Sequence, residues 1–148
     1  MNLTPAPSRP RLMLADVEHD YFARMTLLLE EIAPRRFVLE WAQTHAFAVN
    51  MMRRQQFVLC LINVRLGHRS GIDLLTMMRA RNYSAPVVLL ASGEELEALP
   101  VSRGVECIDR DRLSAELLRQ VLRDTLFKSD PEALPIVPPV GPALRAVA

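Results

Sequence analysis

The sequence predicts an α/β domain in which a parallel sheet is covered by helices on both faces. Three observations indicate it: short apolar runs alternate five times with segments of helical periodicity, the connections are long enough for helical crossovers, and one run is continuously apolar. That run, residues 57–62, has six apolar residues and ends at the polar Asn63. A continuous apolar run is typical of a strand that is covered on both faces, because neither face is in contact with water.

Two strand–helix units are predicted in the first third of the chain. Residues 11–15 form a short apolar strand, and apolar residues then recur at helical spacing from about 19 to 32, where Pro34 ends the helix. A second strand is predicted at 36–41, and a helix starts at Thr44. The residues expected to face the core are Phe22, Met25, Leu28, Leu29 and Ile32 in the first helix and Ala46, Val49 and Met52 in the second.

Three further strands, with helices after them, complete the predicted sheet. Ser70 and Ser114 are placed to cap helices by accepting a hydrogen bond from a free backbone N–H group. Pro100 restricts the helix before it to about two turns. The strands are predicted at 57–63, 85–91 and 104–108, and the apolar helix faces contain Ile72, Leu74, Leu75 and Met78, then Leu117, Val121, Leu122 and Leu126.

The ordered part of the chain is predicted to be one domain at residues 11–128. Residues 1–10 contain three prolines and are predicted to form a flexible N-terminal arm. Residues 129–148 contain five prolines, little charge and no periodicity, which is typical of a linker or a tail. The strand order cannot be derived from the alternating pattern alone.

Composition argues against nucleic acid and membranes as partners of this domain. The formal net charge is +1, so no strong field attracts an anionic surface, and no apolar run is long enough to cross a bilayer or serve as a signal core. Cys60 and Cys107 lie in apolar runs without metal-ligand spacing, which favours buried cysteines in a reducing cytoplasm. Short basic clusters are interpreted as solvated helix faces, namely Arg53 with Arg54, Arg79 with Arg81 and Arg110 with Arg112.

Three segments, residues 14–20, 57–75 and 86–92, carry a resemblance to a known family. With them, the chain from about 11 to 128 resembles the receiver domain, the phosphoacceptor module of bacterial two-component response regulators. The loop at 64–75 is most similar to receivers fused to cyclic-di-GMP signalling domains, in which this loop often begins tyrosine-arginine-leucine-glycine. The resemblance implies a flavodoxin-like (βα)5 sandwich with a five-stranded parallel sheet of order 2-1-3-4-5.

The resemblance also implies a phosphorylation pocket, and this sequence departs from it at several positions. Two adjacent carboxylates that hold Mg²⁺ in receivers correspond to Asp16 and Val17. The phosphorylated aspartate corresponds to Asn63, the hydroxyl residue after the fourth strand to Ala91, and the lysine near the fifth strand to Arg110. The pocket is therefore predicted to be degenerate, with no catalytic residue.

Chemistry supports that prediction independently of the family. Phosphoryl transfer to a side chain needs an ionised oxygen nucleophile, and the amide of Asn63 offers none. One aspartate without a second carboxylate is a weak Mg²⁺ site, so Asp16 is only a residual candidate ligand and Mg²⁺ binding is expected to be weak or absent. A structural pair with Arg110, or a hydrogen bond to loop N–H groups, is the favoured role of Asp16, and capping of the strand end is favoured for Asn63.

These observations lead to a first hypothesis and two alternatives. The first is a non-enzymatic signal-transduction module of the cytoplasm that acts through a protein partner, a covalently linked output domain or homodimerisation. The second is a phosphoacceptor that uses a non-standard site such as Asp16. The third is a flavodoxin-like small-molecule binder, which is disfavoured because no glycine-rich phosphate loop follows the first strand.

Overall fold

The computed structural model describes residues 9–99 and 105–126. Strands and helices alternate along these two ranges. They are β1 (Arg11–Ala15), α1 (His19–Ile32), β2 (Val38–Ala42), α2 (His45–Arg54), β3 (Leu59–Asn63), β4 (Arg65–Leu66), β5 (Arg69–Ser70), α3 (Gly71–Ala80), β6 (Val87–Ala91), α4 (Gly93–Ala98), β7 (Glu106–Asp109) and α5 (Ala115–Leu126), with a 3-10 turn at Arg110–Arg112.

Five of the strands form one parallel sheet in the order β2-β1-β3-β6-β7. Counted among these five strands alone, the order is 2-1-3-4-5, so the predicted flavodoxin-like topology is confirmed. β3 is the central strand and all five of its residues are buried. The continuous apolar run that predicted this strand therefore reflects its cover on both faces.

Side chains of each central strand alternate between two separate cores. Leu12 and Leu14 of β1 point into one core, and Met13 and Ala15 point into the other. The first core is closed by α1 and α5, chiefly through Met25, Leu29, Ile32, Leu118, Val121 and Leu122. The second is closed by α2 and α3, chiefly through Ala48, Met52, Leu74, Leu75 and Met78.

Serine and threonine caps fix where several helices begin. Thr44 accepts a hydrogen bond from the Phe47 N–H at 3.1 Å, and Ser114 accepts one from the Leu117 N–H at 3.1 Å. Ser70 forms a reciprocal capping box with Asp73. The predicted caps are thus confirmed, as is the short fourth helix of six residues.

Strand starts differ from the predicted ones because they depend on neighbouring strands. The second strand begins at Val38, which pairs with Arg11, and not at residue 36. The third begins at Leu59 and the fourth at Val87, two residues later than predicted in each case. The fifth spans Glu106–Asp109, while residue 104 lies outside the described ranges.

The predicted core positions are only partly correct. Phe22 packs against the first core as predicted, but it is half-buried and stacks on Trp41 with ring centroids 5.5 Å apart, whereas its neighbour Tyr21, which was not predicted, is buried. Ala46 of α2 is exposed and Ala48 is buried in its place. Cys60 is buried as predicted, but Cys107 is only partly buried.

The loop after β3 contains structure that the sequence did not predict. β4 and β5 form a two-stranded antiparallel hairpin whose tip includes Gly67, with φ of +69°. Apart from residues 9 and 10, the predicted arm lies outside the described residues, as does the tail at 129–148. None of the described helices is both long and apolar enough to span a membrane.

Candidate functional site

The carboxyl ends of the parallel strands meet at one edge of the sheet, and four of the five predicted pocket residues lie there. Asp16 follows β1, Asn63 ends β3, Ala91 ends β6 and Arg110 follows β7. Polar groups at this edge can converge because parallel strands all end on the same side. Val17, the fifth predicted residue, is 46% exposed.

Asp16 is fully buried, and both of its carboxylate oxygens accept hydrogen bonds. Oδ2 accepts one from Arg110 Nη2 at 2.9 Å and a second from Asn63 Nδ2 at 3.1 Å. Oδ1 accepts one from the Glu18 backbone N–H at 2.9 Å. The Asp16 carbonyl oxygen also accepts a hydrogen bond from Trp41 Nε1 at 2.7 Å. The sequence offered two roles for Asp16, an arginine pair and a loop N–H acceptor, and the structure shows both.

Both polar atoms of the Asn63 side-chain amide form hydrogen bonds. Its Nδ2 donates to Asp16, and its Oδ1 accepts from the Arg65 backbone N–H at 3.0 Å. The second contact ties the end of β3 to the first residue of the β4–β5 hairpin. This is the backbone contact expected of a residue that caps a strand end.

Arg110 fills the space between Asp16 and α1, and its side chain is only 14% exposed. Its Nη1 lies 3.4 Å from Glu18 Oε1, and its guanidinium carbon lies 4.1 Å from the centroid of the Tyr21 ring. Burial opposes the charged form, but the hydrogen bond and charge of Asp16 outweigh it and raise the pKa of Arg110. The interpretation of Arg110 as part of a solvated basic cluster is therefore wrong.

Ala91 has no hydroxyl, and the hydroxyl of the next residue, Ser92, is used as a helix cap. Ala91 is fully buried, and the Ser92 hydroxyl that follows it accepts from the Glu95 backbone N–H at 3.4 Å, as the cap of α4. The Glu95 carboxylate accepts from the Ser92 N–H at 2.9 Å and also pairs with Arg65. The hydrogen bond from the Ser92 backbone is the main cause that lowers the pKa of Glu95.

The donor atoms at this edge do not fit Mg²⁺, the cation that receivers hold. Mg²⁺ requires an octahedral shell of oxygen ligands that includes free carboxylate oxygens. The carboxylates of Asp16 and Glu18 both pair with Arg110, and both oxygens of Asp16 are already hydrogen-bonded. Over residues 9–99 and 105–126, no three acidic, histidine or cysteine side chains converge on a possible metal position.

Three residues of the site were missed by the sequence reasoning. They are Trp41, Tyr21 and Glu18, which contact Asp16 or Arg110. Tyr21 is buried under Arg110 and donates its hydroxyl hydrogen to the Arg110 carbonyl oxygen at 3.0 Å. The available signal was chemical, since a tyrosine or tryptophan that is buried must still find a partner for its polar tip.

Alkaline pH is expected to destabilise the protein through Tyr21. Burial raises the pKa of Tyr21 from 10.0 to about 12, although Arg110 opposes the rise. The folded state therefore holds the phenol proton more tightly than the unfolded chain. This contribution is complete below pH 10 and is lost as the pH rises towards 12, by about 2 kcal/mol. Urea unfolding of the wild type and Tyr21→Phe between these pH values measures the difference.

Burial also raises the pKa values of Cys60 and Tyr83. The wild type and Tyr21→Phe both retain these two residues, so their contribution cancels when the pH dependence of the two proteins is compared. If Tyr21→Phe and the wild type lose the same stability over this interval, the assignment to Tyr21 is wrong. The variant also loses the hydrogen bond to Arg110, which shifts the free energy of unfolding equally at every pH below 10.

Solved structures with the same fold include several receiver domains, whereas no protein-family model and no curated protein matches the chain. A signal receiver domain of an HD domain-containing protein from Pseudomonas fluorescens Pf-5 is 21% identical, with a TM-score of 0.70, over 82% of this chain and 97% of that one. A sensor protein from Polaromonas sp. JS666 is 19% identical, with a TM-score of 0.69, over 82% and 98% of the two chains. Response regulator TrrA from Thermotoga maritima, solved with Mg²⁺ and BeF, is 14% identical, with a TM-score of 0.67, over 79% and 99%. The chain thus has the fold of receiver domains.

Proposed function

We propose that this chain, which has the receiver fold, is a signal-transduction module that has lost phosphotransfer and works through protein contacts. The observation that carries the proposal is the contact between Arg110 Nη2 and Asp16 Oδ2 at 2.9 Å, next to an asparagine in the phosphoacceptor position. The proposed module is not an enzyme. It contributes a surface whose shape depends on the fold and not on a bound phosphoryl group.

The electrostatics of the pocket support this proposal. In a receiver, clustered carboxylates are held together by a divalent cation, and the phosphoryl group adds further negative charge. Here the guanidinium of Arg110 supplies the counter-charge from within the chain, and it is permanently protonated. Asn63 presents its amide nitrogen to Asp16 and has no nucleophilic oxygen. The carboxylate charges of the pocket are thus balanced by an arginine of the same chain, without metal or phosphate.

The proposed partners are a second copy of the chain, another protein, or an output domain joined through residues 129–148. The similarity of the loop at 64–75 favours an output domain of cyclic-di-GMP signalling, and the Pseudomonas receiver above belongs to an HD domain-containing protein. Receivers commonly use the surface of their last two helices and the strand between them. In this chain α4 has only six residues, which changes the shape of that surface. We place the module in the cytoplasm.

Incubation with acetyl phosphate and Mg²⁺ is expected to leave the intact mass of the wild type unchanged. Asn63→Asp is also expected to gain no phosphoryl group, because Arg110 still pairs with Asp16, Val17 adds no carboxylate and Ala91 adds no hydroxyl. Intact-protein mass spectrometry measures both, with a receiver that has a complete pocket as the positive control.

A stoichiometric, acid-labile phosphoryl adduct on the wild type would contradict the proposal, and mapping it to Asp16 would support the alternative of a non-standard phosphoacceptor. That alternative fits less well, because Asp16 is fully buried and both of its oxygens are occupied. Uptake of phosphate by Asn63→Asp at ordinary receiver rates would show that the pocket is intact apart from one residue. A nucleotide or flavin absorbance band in the purified protein would instead favour the flavodoxin-like alternative.

A further inference from the structure

A groove runs along the outer surface between α2 and α3, on the face of the sheet opposite α1 and α5. It consists of two adjoining hollows with volumes of about 200 Å³ and 380 Å³, which share Val49, Arg53, Met77 and Arg81. The groove has no residue in common with the pocket around Asp16. A ligand in the groove would therefore contact none of the residues on which the function proposed above depends.

The smaller hollow is mainly apolar. Its lining includes Val49, the two methionines Met77 and Met78 of α3, the buried Met52 of α2, and the ring of Tyr83. Methionine side chains are unbranched and polarisable, so they adapt to apolar groups of different shapes. This part of the groove suits a short apolar body and offers little to a purely ionic ligand.

The larger hollow is positively charged. Arg53, Arg69 and Arg81 line it, and no acidic residue does. All three are exposed, and among the described residues none of their guanidinium groups has a carboxylate partner. By contrast, Arg11, Arg65, Arg110 and Arg119 each pair with an acidic side chain. Three unpaired cations at one groove produce a local positive potential on a nearly neutral protein.

His45 provides a second, independent observation in the same hollow. It lines the wall, is only 7% exposed, and its Nε2 has no hydrogen-bond partner within the described part of the chain. Burial lowers the pKa of His45, and the positive charge of Arg69 lowers it further, while the negative charge of Asp73 opposes the change. A buried polar atom without a partner is costly and uncommon in folded proteins. A ligand atom that reaches it would supply the missing hydrogen bond.

We propose that the α2–α3 groove binds a small organic anion, with its carboxylate or phosphate group at Arg53, Arg69 and Arg81 and its apolar body against Met77 and its neighbours. Guanidinium groups match the planar or tetrahedral oxygens of such head groups. The larger hollow alone falls within the range of small-molecule sites, roughly 300–1,000 Å³.

The test is a titration of the full ¹⁵N-labelled chain with phenyl phosphate, followed by ¹H–¹⁵N correlation spectra. We expect saturable shifts concentrated at residues 45–53 and 69–83, with a Kd of about 1 mM. Inorganic phosphate should bind about tenfold more weakly, because it has no apolar body. Benzoate in a parallel titration distinguishes a site for carboxylates from one for phosphates, and saturable binding of either supports the proposal.

Charge-reversal variants distinguish binding in the groove from nonspecific attraction by the overall charge of the protein. Arg53→Glu with Arg81→Glu should weaken binding at least about tenfold, because repulsion replaces two contacts. Arg53→Glu alone should also weaken binding, and Arg54→Glu is its matched control, since it makes the same charge change at the next exposed residue, outside the groove, and should have little effect. All three side chains are exposed, so circular dichroism should show unchanged folding.

Three results would overturn the proposal. The first is the absence of saturable shifts with both phenyl phosphate and benzoate. The second is equal weakening by Arg54→Glu and by Arg53→Glu alone, which would indicate only diffuse attraction. The third is equally tight binding of inorganic phosphate, which would indicate an adventitious ion only.

Discussion

Replacement of Arg110 by methionine is expected to lower the free energy of unfolding by about 3–5 kcal/mol. The substitution leaves the fully buried carboxylate of Asp16 without its counter-charge, while Asn63 and one backbone N–H remain as its donors. Methionine preserves much of the length of the side chain that packs on Tyr21. Urea unfolding at pH 7, followed by circular dichroism, measures the change. A loss of this size is a large part of the total stability of a typical domain, about 5–15 kcal/mol.

Arg112 provides a matched control, because it lies two residues away and its side chain is 84% exposed. Its nearest carboxylate, on Asp109, is 3.8 Å away, so Arg112→Met should change stability by less than about 0.5 kcal/mol. In a double-mutant cycle, Asp16→Asn combined with Arg110→Met should lose about 2 kcal/mol less than the sum of the single variants. Additive effects, or equal effects of the two arginine substitutions, would show that the buried pair is not coupled.

Gly71→Ala is expected to destabilise the fold by about 3 kcal/mol or to prevent folding. Gly71 is the first residue of α3 and packs directly on the end of β3. An added Cβ would lie well inside van der Waals distance of the Asn63 carbonyl oxygen and 2.8 Å from Cγ2 of Ile62. The strand cannot move aside easily, because it is hydrogen-bonded to β1 on one side and to β6 on the other. Thermal and urea unfolding measure the loss.

Alanine substitutions at two other glycines distinguish the effect of steric contact from that of backbone strain. Gly93 is also the first residue of a helix, but its added Cβ would lie 3.7 Å from Asp109 Oδ2, so Gly93→Ala should change stability by less than about 1 kcal/mol. Gly67 has open space around it and φ of +69°, so Gly67→Ala should cost about 1 kcal/mol through the backbone alone. If Gly71→Ala costs no more than Gly67→Ala, the close packing of α3 on β3 is not significant.

Periodicity was sufficient to predict the fold class, because the apolar residues that mark the central strands and the helix faces recur within single segments of the sequence. The run at 57–62 is the clearest case, since a strand buried on both faces has no exposed position that favours a polar residue. The start of β2 was not predictable in this way. Val38 begins that strand because Arg11 of β1 lies beside it, and such pairing is a property of two distant segments.

The pocket was predictable in composition but not in all its contacts. Asp16, Asn63, Ala91 and Arg110 could be assigned from the resemblance, since each ends or follows a predicted strand. The roles of the arginines could not, because Arg53 and Arg110 lie in similar short basic clusters. Arg110 is drawn inward by the buried carboxylate after β1, whereas Arg53 has no carboxylate partner among the described residues. Only the assembled sheet shows which arginine meets an acid.

The rotation of α1 explains why Tyr21 was not predicted at the pocket. Tyr21 and Phe22 are consecutive aromatic residues, and a shift of one position, about 100° around a helix, decides which of them is fully buried. The apolar spacing of α1 includes Phe22 and leaves out Tyr21. In the structure, Phe22 stacks on Trp41 at the rim, and Tyr21 is buried because its ring contacts Arg110 and its hydroxyl has a partner there.

The short helix α4 has a consequence for how the module could respond to a partner. None of its six residues is buried, and polar contacts hold it, namely the Ser92–Glu95 capping box and the Arg65–Glu95 ion pair. Its unfolding would therefore remove no large apolar side chain from the core and would cost little compared with global unfolding. A partner that contacts this helix would reorder it while the sheet, and the Asp16–Arg110 pair at its edge, remain intact.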